Sequence, residues 1–393
     1  MEQQLVALTG NEAVAYAFKQ ARPHVASAFP ITPQTEMMHK FAEFVANGEV
    51  DTEMILVESE HSAMSAAVGA SAAGSRVITA TSSAGFALMW EIVYIAASLR
   101  LPICMALVNR ALSGNINIHN DHSDSMGGRD AGWIHLHSEN AQEAYDNGVM
   151  SFRISEHPDV QLPTMVCYDG FIISHTADSL YMLDDADAAT FVGERTPKYA
   201  LLDVENPITV GPLDLTDYYF EHKVSQMEAE QRALPIIDQV SAEYGELTGR
   251  RYEHFESYKM DDAECCIVIL GSSAGTTKAM IDEYREKGIK VGLMKIRTFR
   301  PFPNELIADA LSGMKAIAVL DKSASFGGFG GPVFTEVRSA LYQTGCRAPV
   351  HNWIYGLGGR DYDLHQAAHV IESIDKIARG EEMETINLLG VRL

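Results

Sequence analysis

The sequence has few cysteines, and they do not cluster. Five of the 393 residues are cysteines, and no two of them form a C-x-x-C pair; they are Cys104, Cys167, Cys265, Cys266 and Cys346. The odd count and the wide spacing argue against a disulfide framework. Iron–sulfur and zinc sites usually rest on clustered thiolates, so we expect no metal ligand and no iron–sulfur cluster in this chain.

Positive charge is also scarce. The chain has 30 Lys and Arg residues against 53 Asp and Glu residues, which gives a formal net charge of −23. Such a surface repels phosphate backbones and anionic lipid, which argues against nucleic acid and membrane surfaces as partners.

Long apolar runs are missing as well. The uncharged stretch Val77–Trp90 falls short of the roughly 18 residues that a membrane span needs. The first residues, Met1–Gln4, lack the basic region of a signal peptide. We therefore expect no membrane span and a cytoplasmic location.

What is present is the composition of a globular α/β protein. Apolar residues make up 47% of the chain and charged residues 21%, and short apolar runs alternate with helical segments of ten or more residues. Strands joined by such helices require crossover connections and form a parallel sheet. The predicted helices of the first part are 11–19, 36–46, 60–73, 86–99 and 141–154, and its predicted strands are 24–29, 54–57, 76–81, 102–108 and 163–168.

The alternation stops between residues 214 and 262, where charges and tyrosines become frequent. A surface helix is predicted at 228–244, and a new series of strands begins at residue 265. We therefore predict an α/β domain at 1–240, a connector at 241–262 and a smaller α/β domain at 263–393.

Reactive side chains follow four of the predicted strands. Because ligands bind at the carboxyl ends of strands in open α/β sheets, these side chains are expected to share one sheet edge. A carboxylate there can act as an acid or base, and an arginine can clamp a substrate carboxylate. Structural alternatives remain, since helix caps and tight helix packing use the same residue types. In chain order the candidates are Thr32, Glu60 with its neighbour Glu58, Ser82 with Ser83, and Arg110.

The loop that begins at Arg110 is unusually long, and loops of that length inside a compact domain are usually functional. Its side chains His119, Asp121, His122 and Asp124 are of types that can bind a metal. Hydrogen-bonded loop scaffolding explains them as well and is the favoured interpretation. The glycine-rich turn at 271–276 matches no nucleotide-binding fingerprint and is interpreted as a tight strand-to-helix turn.

With these residues laid out, the chain resembles the alpha subunits of the thiamine-diphosphate-dependent 2-oxoacid:ferredoxin oxidoreductases, and most closely the pyruvate:ferredoxin oxidoreductase group. The resemblance covers almost the whole chain and implies two parts. The first is a thiamine-diphosphate-binding fold of the pyrimidine-domain type with a parallel sheet, and the second is a transketolase C-terminal-like α/β domain. The motifs that carry it are 30–33 (PITP), 58–63 (ESEHSA), 81–83 (TSS), 109–111 (NRA), 120–126 (NDHSDSM), 169–171 (DGF) and 271–272 (GS).

The resemblance also implies roles for individual residues. Glu60 matches the catalytic carboxylate that bonds the aminopyrimidine ring of the cofactor, and Thr32 and Arg110 match positions that hold the substrate. The other implied cofactor contacts are Pro30, Ile31, Ser82 and Ser83. Ala84 departs from the pattern, because many relatives have Gln there, which puts the shape of the thiazolium pocket in doubt.

The cofactors and partners follow from the resemblance alone. Thiamine diphosphate would be shared with a beta subunit that binds the diphosphate, Mg²⁺ and the nearest iron–sulfur cluster. Further cluster-bearing subunits, ferredoxin or another electron acceptor, coenzyme A and a 2-oxoacid complete the set. The implied reaction is the oxidative decarboxylation of pyruvate to acetyl-CoA and CO₂. Phenylglyoxylate or a branched-chain 2-oxoacid as substrate, and a non-catalytic subunit of a larger complex, stay open as alternatives.

Overall fold

Two large sheets, each covered by helices on both faces, form the part of the chain that the computed structural model describes, residues 3–392. The strands are β1 (Gln3–Thr9), β2 (Val25–Ala28), β3 (Glu53–Leu56), β4 (Val77–Thr81), β5 (Ile103–Asn109), β6 (Ile134–His137), β7 (Thr164–Asp169), β8 (Ala177–Leu183), β9 (Phe255–Tyr258), β10 (Cys265–Ile269), β11 (Val291–Ile296), β12 (Thr298–Arg300), β13 (Ala316–Asp321), β14 (Val350–Ile354) and β15 (Ile386–Leu388).

The helices alternate with these strands over most of the chain. They are α1 (Gly10–Gln20), α2 (Thr35–Ala46), α3 (Glu60–Ala72), α4 (Ser83–Leu88), α5 (Trp90–Ser98), α6 (Ser123–Gly127), α7 (Ala141–Glu156), α8 (Asp185–Val192), α9 (Tyr219–Thr248), α10 (Ser273–Glu286), α11 (Asn304–Leu311), α12 (Pro332–Thr344) and α13 (Leu364–Ala378). In this part of the chain, no helix is both long and apolar enough to cross a membrane.

Both large sheets are almost entirely parallel. The first has the order β12-β6-β7-β5-β4-β2-β3, and only β12 runs antiparallel to its neighbour. The second has the order β15-β14-β13-β10-β11-β9, and only β9 is antiparallel. Strands β1 and β8 form a separate antiparallel pair. The α/β fold with parallel sheets that the sequence predicts is confirmed.

The apolar core is divided into layers by the sheets. One face of the first sheet packs on α1, α2, α7 and α9, and its other face packs on α3, α4 and α5. The second sheet carries an apolar cluster on each face in the same way. Strands that are covered on both faces have continuous apolar sequences, which explains why these strands could be predicted from the sequence.

Some elements differ from the sequence prediction. The helix predicted at 86–99 is two helices, α4 and α5, which meet at Met89. The surface helix predicted at 228–244 extends over Tyr219–Thr248. Because the apolar pattern of a helix says little about its ends, such boundaries are poorly predicted.

The predicted connector between the two domains is not a simple linker, because it contains regular elements that belong to both parts of the chain. Helix α9 continues past residue 240, and the predicted connector at 241–262 contains β9, which is an edge strand of the second sheet. Strand β12 follows β11 of the second sheet but pairs with β6 of the first. The division at 1–240, 241–262 and 263–393 remains a prediction.

A buried carboxylate joins the two sheets. Asp169, at the end of β7, accepts hydrogen bonds from Lys322 Nζ at 2.6 Å and from the Ser272 hydroxyl at 2.5 Å, and its second oxygen lies 2.8 Å from His122 Nε2. Burial alone would raise the pKa of Asp169, but the charges of Lys322 and His122 hold it well below its usual range. Lys322 and Ser272 follow strands of the second sheet, so this cluster fixes one sheet against the other.

Removal of the Asp169 carboxylate is expected to destabilise the protein strongly. In Asp169→Ala the ammonium group of Lys322 stays buried without its partner, and breaking a buried pair in this way costs about 3–5 kcal/mol. Chemical denaturation of the full chain measures the change in the free energy of unfolding. As a control, Asp361→Ala removes an exposed carboxylate and should change that free energy by less than about 0.5 kcal/mol. Equal effects of the two substitutions would contradict the joining role.

Candidate active site

The candidate residues meet at one edge of the first sheet. Strands β5, β4, β2 and β3 are consecutive neighbours and run parallel. The turn that holds Thr32 follows β2, Glu60 follows β3, Ser82 follows β4 and Arg110 follows β5. Their carboxyl ends therefore place the predicted side chains along the same edge, as expected for a ligand site in an open α/β sheet.

Glu60 is the first residue of α3, and its side chain is only 7% exposed. The helix start is capped by its neighbours, since Ser59 Oγ accepts from the Ser62 amide at 3.2 Å and Glu58 accepts from the Ser62 hydroxyl at 2.7 Å. Glu58 is exposed. Ser59 is therefore the N-cap of α3, Glu58 is an exposed carboxylate that bonds the Ser62 side chain, and Glu60 is buried.

The Glu60 carboxylate lies against Gly85 at the start of α4. A Cβ atom at position 85 would come within 2.7 Å of Glu60 Oε1 and within 2.5 Å of the Thr81 hydroxyl. That hydroxyl is buried and has no hydrogen-bond partner among residues 3–392. Only glycine fits here, because Glu60 and Thr81 pack directly against its backbone.

The two serines after β4 have different environments. Ser82 is buried, and its hydroxyl finds no partner within the described residues. Ser83 donates its amide to Asp124 at 3.0 Å and its hydroxyl to the carbonyl of Ala111. It also adopts a φ of 45°, a conformation that a non-glycine residue holds only where its surroundings impose it. Ser83 thus fastens the long loop, whereas Ser82 presents an unpaired hydroxyl.

Asp124 organises this loop from its interior. Its carboxylate accepts four hydrogen bonds, from the amides of Ser83, Arg110 and Ser125 and from the side-chain amide of Asn109, at 2.7–3.0 Å. Burial raises the pKa of Asp124 to about 6, and these donors oppose the rise. The carboxylate thereby ties the loop after β4 to the loop after β5.

Arg110 and Thr32 are in direct contact. The Arg110 guanidinium donates from Nη1 to the Thr32 carbonyl and from Nε to the Asn117 carbonyl, both at 2.9 Å. Arg110 is 6% exposed, whereas the Thr32 side chain is exposed. Burial lowers the pKa of Arg110 from its usual value. The contact fixes the guanidinium beside the turn that carries Thr32.

The turn before α2 contains a residue that the sequence prediction missed. Gln34 is fully buried, and its Oε1 accepts from the Ile31 amide at 3.3 Å. Its Nε2 has no partner among the described residues, so it is a donor left available beneath the turn. Pro30 is exposed and Ile31 is half-buried at the surface of the same turn. A lone Gln beside two prolines gives no sequence signal for this role.

The polar residues of the long loop serve as scaffolding. Asp121 accepts from the Ser123 hydroxyl at 2.5 Å and from the Gly358 amide at 3.1 Å, and the His122 amide donates to the Lys322 carbonyl at 2.8 Å. Both Gly358 and Lys322 belong to the second half of the chain. The loop is therefore held between the sheets by hydrogen bonds, which agrees with the favoured interpretation.

Comparison with known families identifies the family of this chain. Residues 16–242 match the family model described as pyruvate flavodoxin/ferredoxin oxidoreductase, thiamine diphosphate-binding. The chain belongs to the pyruvate flavodoxin/ferredoxin oxidoreductase family. Residues 263–367 match a second model, pyruvate:ferredoxin oxidoreductase core domain II. The family resemblance drawn from the sequence motifs is confirmed.

Relatives of this oxidoreductase family align over nearly the whole chain. Pyruvate synthase subunit PorA of Thermotoga maritima is 55% identical over 356 residues, 91% of each chain. Pyruvate synthase subunit PorA of Pyrococcus furiosus is 45% identical over 98% of this chain and 97% of its own length. Ketoisovalerate oxidoreductase subunit VorA of Pyrococcus abyssi is 43% identical over 96% of this chain and 95% of its own length.

Solved structures confirm the fold. The 2-oxoglutarate:ferredoxin oxidoreductase of Magnetococcus marinus, solved with 2-oxoglutarate, coenzyme A and succinyl-CoA, superposes with a TM-score of 0.75 at 18% identity, over 95% of this chain and 65% of that chain. A split-gene transketolase, as an inactive β4 tetramer, gives a TM-score of 0.55 at 12% identity, over 95% of this chain and all of its own. At these identities the likeness concerns the fold, and it matches the expected transketolase-like architecture.

The sheet edge of this family member fits the pyrimidine ring of thiamine diphosphate. The ring needs a buried carboxylate and nearby hydrogen-bonding groups, and Glu60 lies beside the unpaired hydroxyl of Thr81. The unpaired hydroxyl of Ser82 belongs to the same turn. Unpaired buried polar groups are costly unless a ligand satisfies them, so these residues are suited to hold such a ring.

Gly85→Ala is expected to impair activity by displacing Glu60. The added methyl group would overlap Glu60 Oε1 and the Thr81 hydroxyl, and misplacing a catalytic group by about 1 Å can cost about 100-fold in rate. The measurement is 2-oxoacid-dependent dye reduction by the purified complex, alongside its thermal stability. Gly69→Ala is the matched control, because position 69 of α3 has open space around it. Equal activity of the two variants would show that Glu60 does not depend on Gly85.

Proposed function

We propose that this chain is the alpha subunit of a cytoplasmic complex that oxidatively decarboxylates pyruvate to acetyl-CoA and CO₂. The observation that carries the proposal is the inward-facing carboxylate of Glu60, which shares one sheet edge with the contact between Arg110 and Thr32. At one sheet edge, a carboxylate can act as an acid or base toward a cofactor and a guanidinium can bind a substrate carboxylate. The 55% identity to a pyruvate synthase subunit supports pyruvate as the substrate.

Glu60 is the residue that we assign to cofactor activation. When bound, thiamine diphosphate supplies the nucleophilic carbon and the electron sink that decarboxylation of a 2-oxoacid needs. With the cofactor bound, Glu60 would share a proton with a nitrogen of the pyrimidine ring and so would set the protonation state of that ring. Gly85 packs against this carboxylate, and we assign Pro30, Ile31, Ser82 and Ser83 to the wall of the cofactor site on this side.

Arg110 is assigned to the substrate carboxylate. The guanidinium bonds described above leave from Nε and Nη1 toward backbone carbonyls, which orients the group and leaves Nη2 for a ligand. A planar guanidinium matches the geometry of a carboxylate. The exposed hydroxyl of Thr32 lies on the turn that Arg110 contacts and is placed to bond the substrate carbonyl.

A beta subunit is proposed to cover this edge and to hold the diphosphate, Mg²⁺ and the nearest iron–sulfur cluster. Apolar side chains are exposed on the segments that border the edge, which supports a protein partner there; they are Leu56, Leu88, Trp90, Leu112, Ile116 and Ile118. Further cluster-bearing subunits would pass electrons to ferredoxin or another acceptor, and coenzyme A would accept the acyl group.

One comparison supports an alternative to pyruvate as the substrate. Ketoisovalerate oxidoreductase subunits are 43% identical to this chain, close to the 45% of the archaeal pyruvate synthase subunits. A branched-chain 2-oxoacid is therefore the leading alternative, ahead of phenylglyoxylate.

A panel of 2-oxoacids on the intact complex decides the substrate. We expect pyruvate with coenzyme A to give the highest kcat/KM in viologen reduction, at least about tenfold above 2-oxoisovalerate, since one or two methyl groups change binding in a pocket by about 1–3 kcal/mol. Higher kcat/KM for 2-oxoisovalerate or phenylglyoxylate would overturn the assignment to pyruvate. Lack of reduction with every 2-oxoacid would favour a non-catalytic subunit.

Glu60→Gln tests the catalytic assignment. The substitution keeps the shape of the side chain but weakens proton sharing with the ring, so exchange of the thiazolium C2 proton should slow by about 10²–10⁴-fold. Quenched-flow NMR of the assembled complex measures that exchange directly. Glu58→Gln changes an exposed carboxylate two positions away and should leave the exchange rate within about twofold. Near-normal exchange in Glu60→Gln would refute the role of Glu60.

A further inference from the structure

Two histidines and a cysteine come together on one face of the first sheet, on β6 and β7 rather than on β2, β3, β4 and β5, which precede the candidate site residues. His135 and His137 lie two residues apart on β6 and therefore point to the same face. Cys167 lies on β7, and the parallel register pairs it with His137. One ligand atom from each of the three side chains can be chosen so that all three atoms lie within 4.8 Å of one another.

These side chains are deeply buried and lack partners. His135 and Cys167 are 0% exposed and His137 is 2% exposed. Among residues 3–392, neither ring nitrogen of His135 has a hydrogen-bond partner, and the same is true of His137 Nε2. A buried polar atom without a partner costs about 1–3 kcal/mol, so three such atoms in one place require an explanation.

Packing alone does not supply that explanation. The rings of His135 and His137 do contact Phe299, with centroids 6.4 and 6.1 Å away, but an apolar residue would fill this space without unpaired nitrogens. Imidazole nitrogens without hydrogen-bond partners can offer the lone pairs that a metal ion binds.

We propose that His135, His137 and Cys167 bind a single closed-shell cation, Zn²⁺ or Cu⁺. One thiolate with two imidazoles is a donor set that both ions accept, whereas Mg²⁺ and Ca²⁺ select oxygen ligands. Binding replaces the thiol proton of Cys167 with the metal and releases that proton to solvent, without any change of oxidation state.

A second group of candidate metal ligands differs from the histidine–cysteine group in its charge. Glu139, Glu143 and Glu256 also bring carboxylate oxygens close together. Lys295 contacts all three of these carboxylates, and Lys278 contacts two of them. The positive charge that a metal would supply is already present in that cluster. Among the described residues, His135, His137 and Cys167 form no ion pair, and Arg300, which lies opposite His135 on β12, is paired with Glu336.

The proposed metal would act as a structural clamp. It would connect β6 to β7 where β12 adds the edge strand to the same sheet. The ring of His137 also packs edge-on against His122, with centroids 5.5 Å apart, and His122 contacts Asp169. A bound cation would therefore steady one side of the cluster that joins the two sheets.

The test is metal content and X-ray absorption of the purified complex. After saturation with Zn²⁺ and removal of loosely bound ions, we expect one equivalent per alpha chain. The zinc-edge spectrum should show one sulfur at about 2.3 Å and nitrogens at about 2.0 Å. A parallel sample loaded with Cu⁺ and then offered Zn²⁺ identifies the preferred ion. Less than about one tenth of an equivalent of either ion, or a first shell of oxygen only, would overturn the proposal.

Cysteine variants give the matched control. Cys167→Ala should lose the bound equivalent and the sulfur signal, whereas Cys104→Ala should keep both, because Cys104 is equally buried on β5 but packs in the opposite layer. Full zinc content with an unchanged spectrum in Cys167→Ala would refute the site. If Cys167→Ala fails to assemble, the sulfur signal of the unsubstituted complex and its retention in Cys104→Ala decide the question.

Discussion

The arrangement depends on one buried carboxylate, Asp169, and on the groups that bond it. A charge at this depth is tolerated only because the Lys322 ammonium pairs with it and His122 hydrogen-bonds to it, and these two residues come from different parts of the chain. The same contact that satisfies the charge therefore sets the position of the second sheet and of the long loop. The geometry of the first sheet edge is thus tied to a junction made by Asp169, Lys322 and His122.

A second buried carboxylate, Asp124, joins two neighbouring loops in the way that Asp169 joins the two sheets. It gathers amides from the turn after β4 and from the loop after β5, so Ser83 and Arg110 are placed by one acceptor. Glu60, by contrast, lies near the Thr81 hydroxyl, which has no hydrogen-bond partner among residues 3–392. Asp124, whose hydrogen bonds are all made within the protein, therefore has a structural role. Glu60, which lies near an unpaired hydroxyl, is the carboxylate available to bind a ligand.

Sequence patterns predicted the parallel strands well, because strands covered on both faces are continuous apolar runs. They also placed Thr32, Glu60 and Arg110 correctly on one edge, since that follows from strand order alone. They did not show β12 leaving the second sheet for the first, because three residues carry no periodicity. Nor did cysteine spacing reveal His135, His137 and Cys167 as neighbours, since strand pairing rather than proximity along the chain brings Cys167 to the histidines. Gln34 was missed because burial of an isolated amide leaves no local signal.

The crossing of β12 has a consequence for synthesis of the chain on the ribosome. Strand β6 leaves the exit tunnel long before residues 298–300, and until they arrive its outer backbone groups have no strand partner. An open edge of this kind invites pairing with other chains. The first half of the chain therefore cannot complete the first sheet by itself. A nascent chain that stops short of β12 would expose a sheet edge that is prone to aggregation. Any truncation intended to isolate the first half would meet the same difficulty.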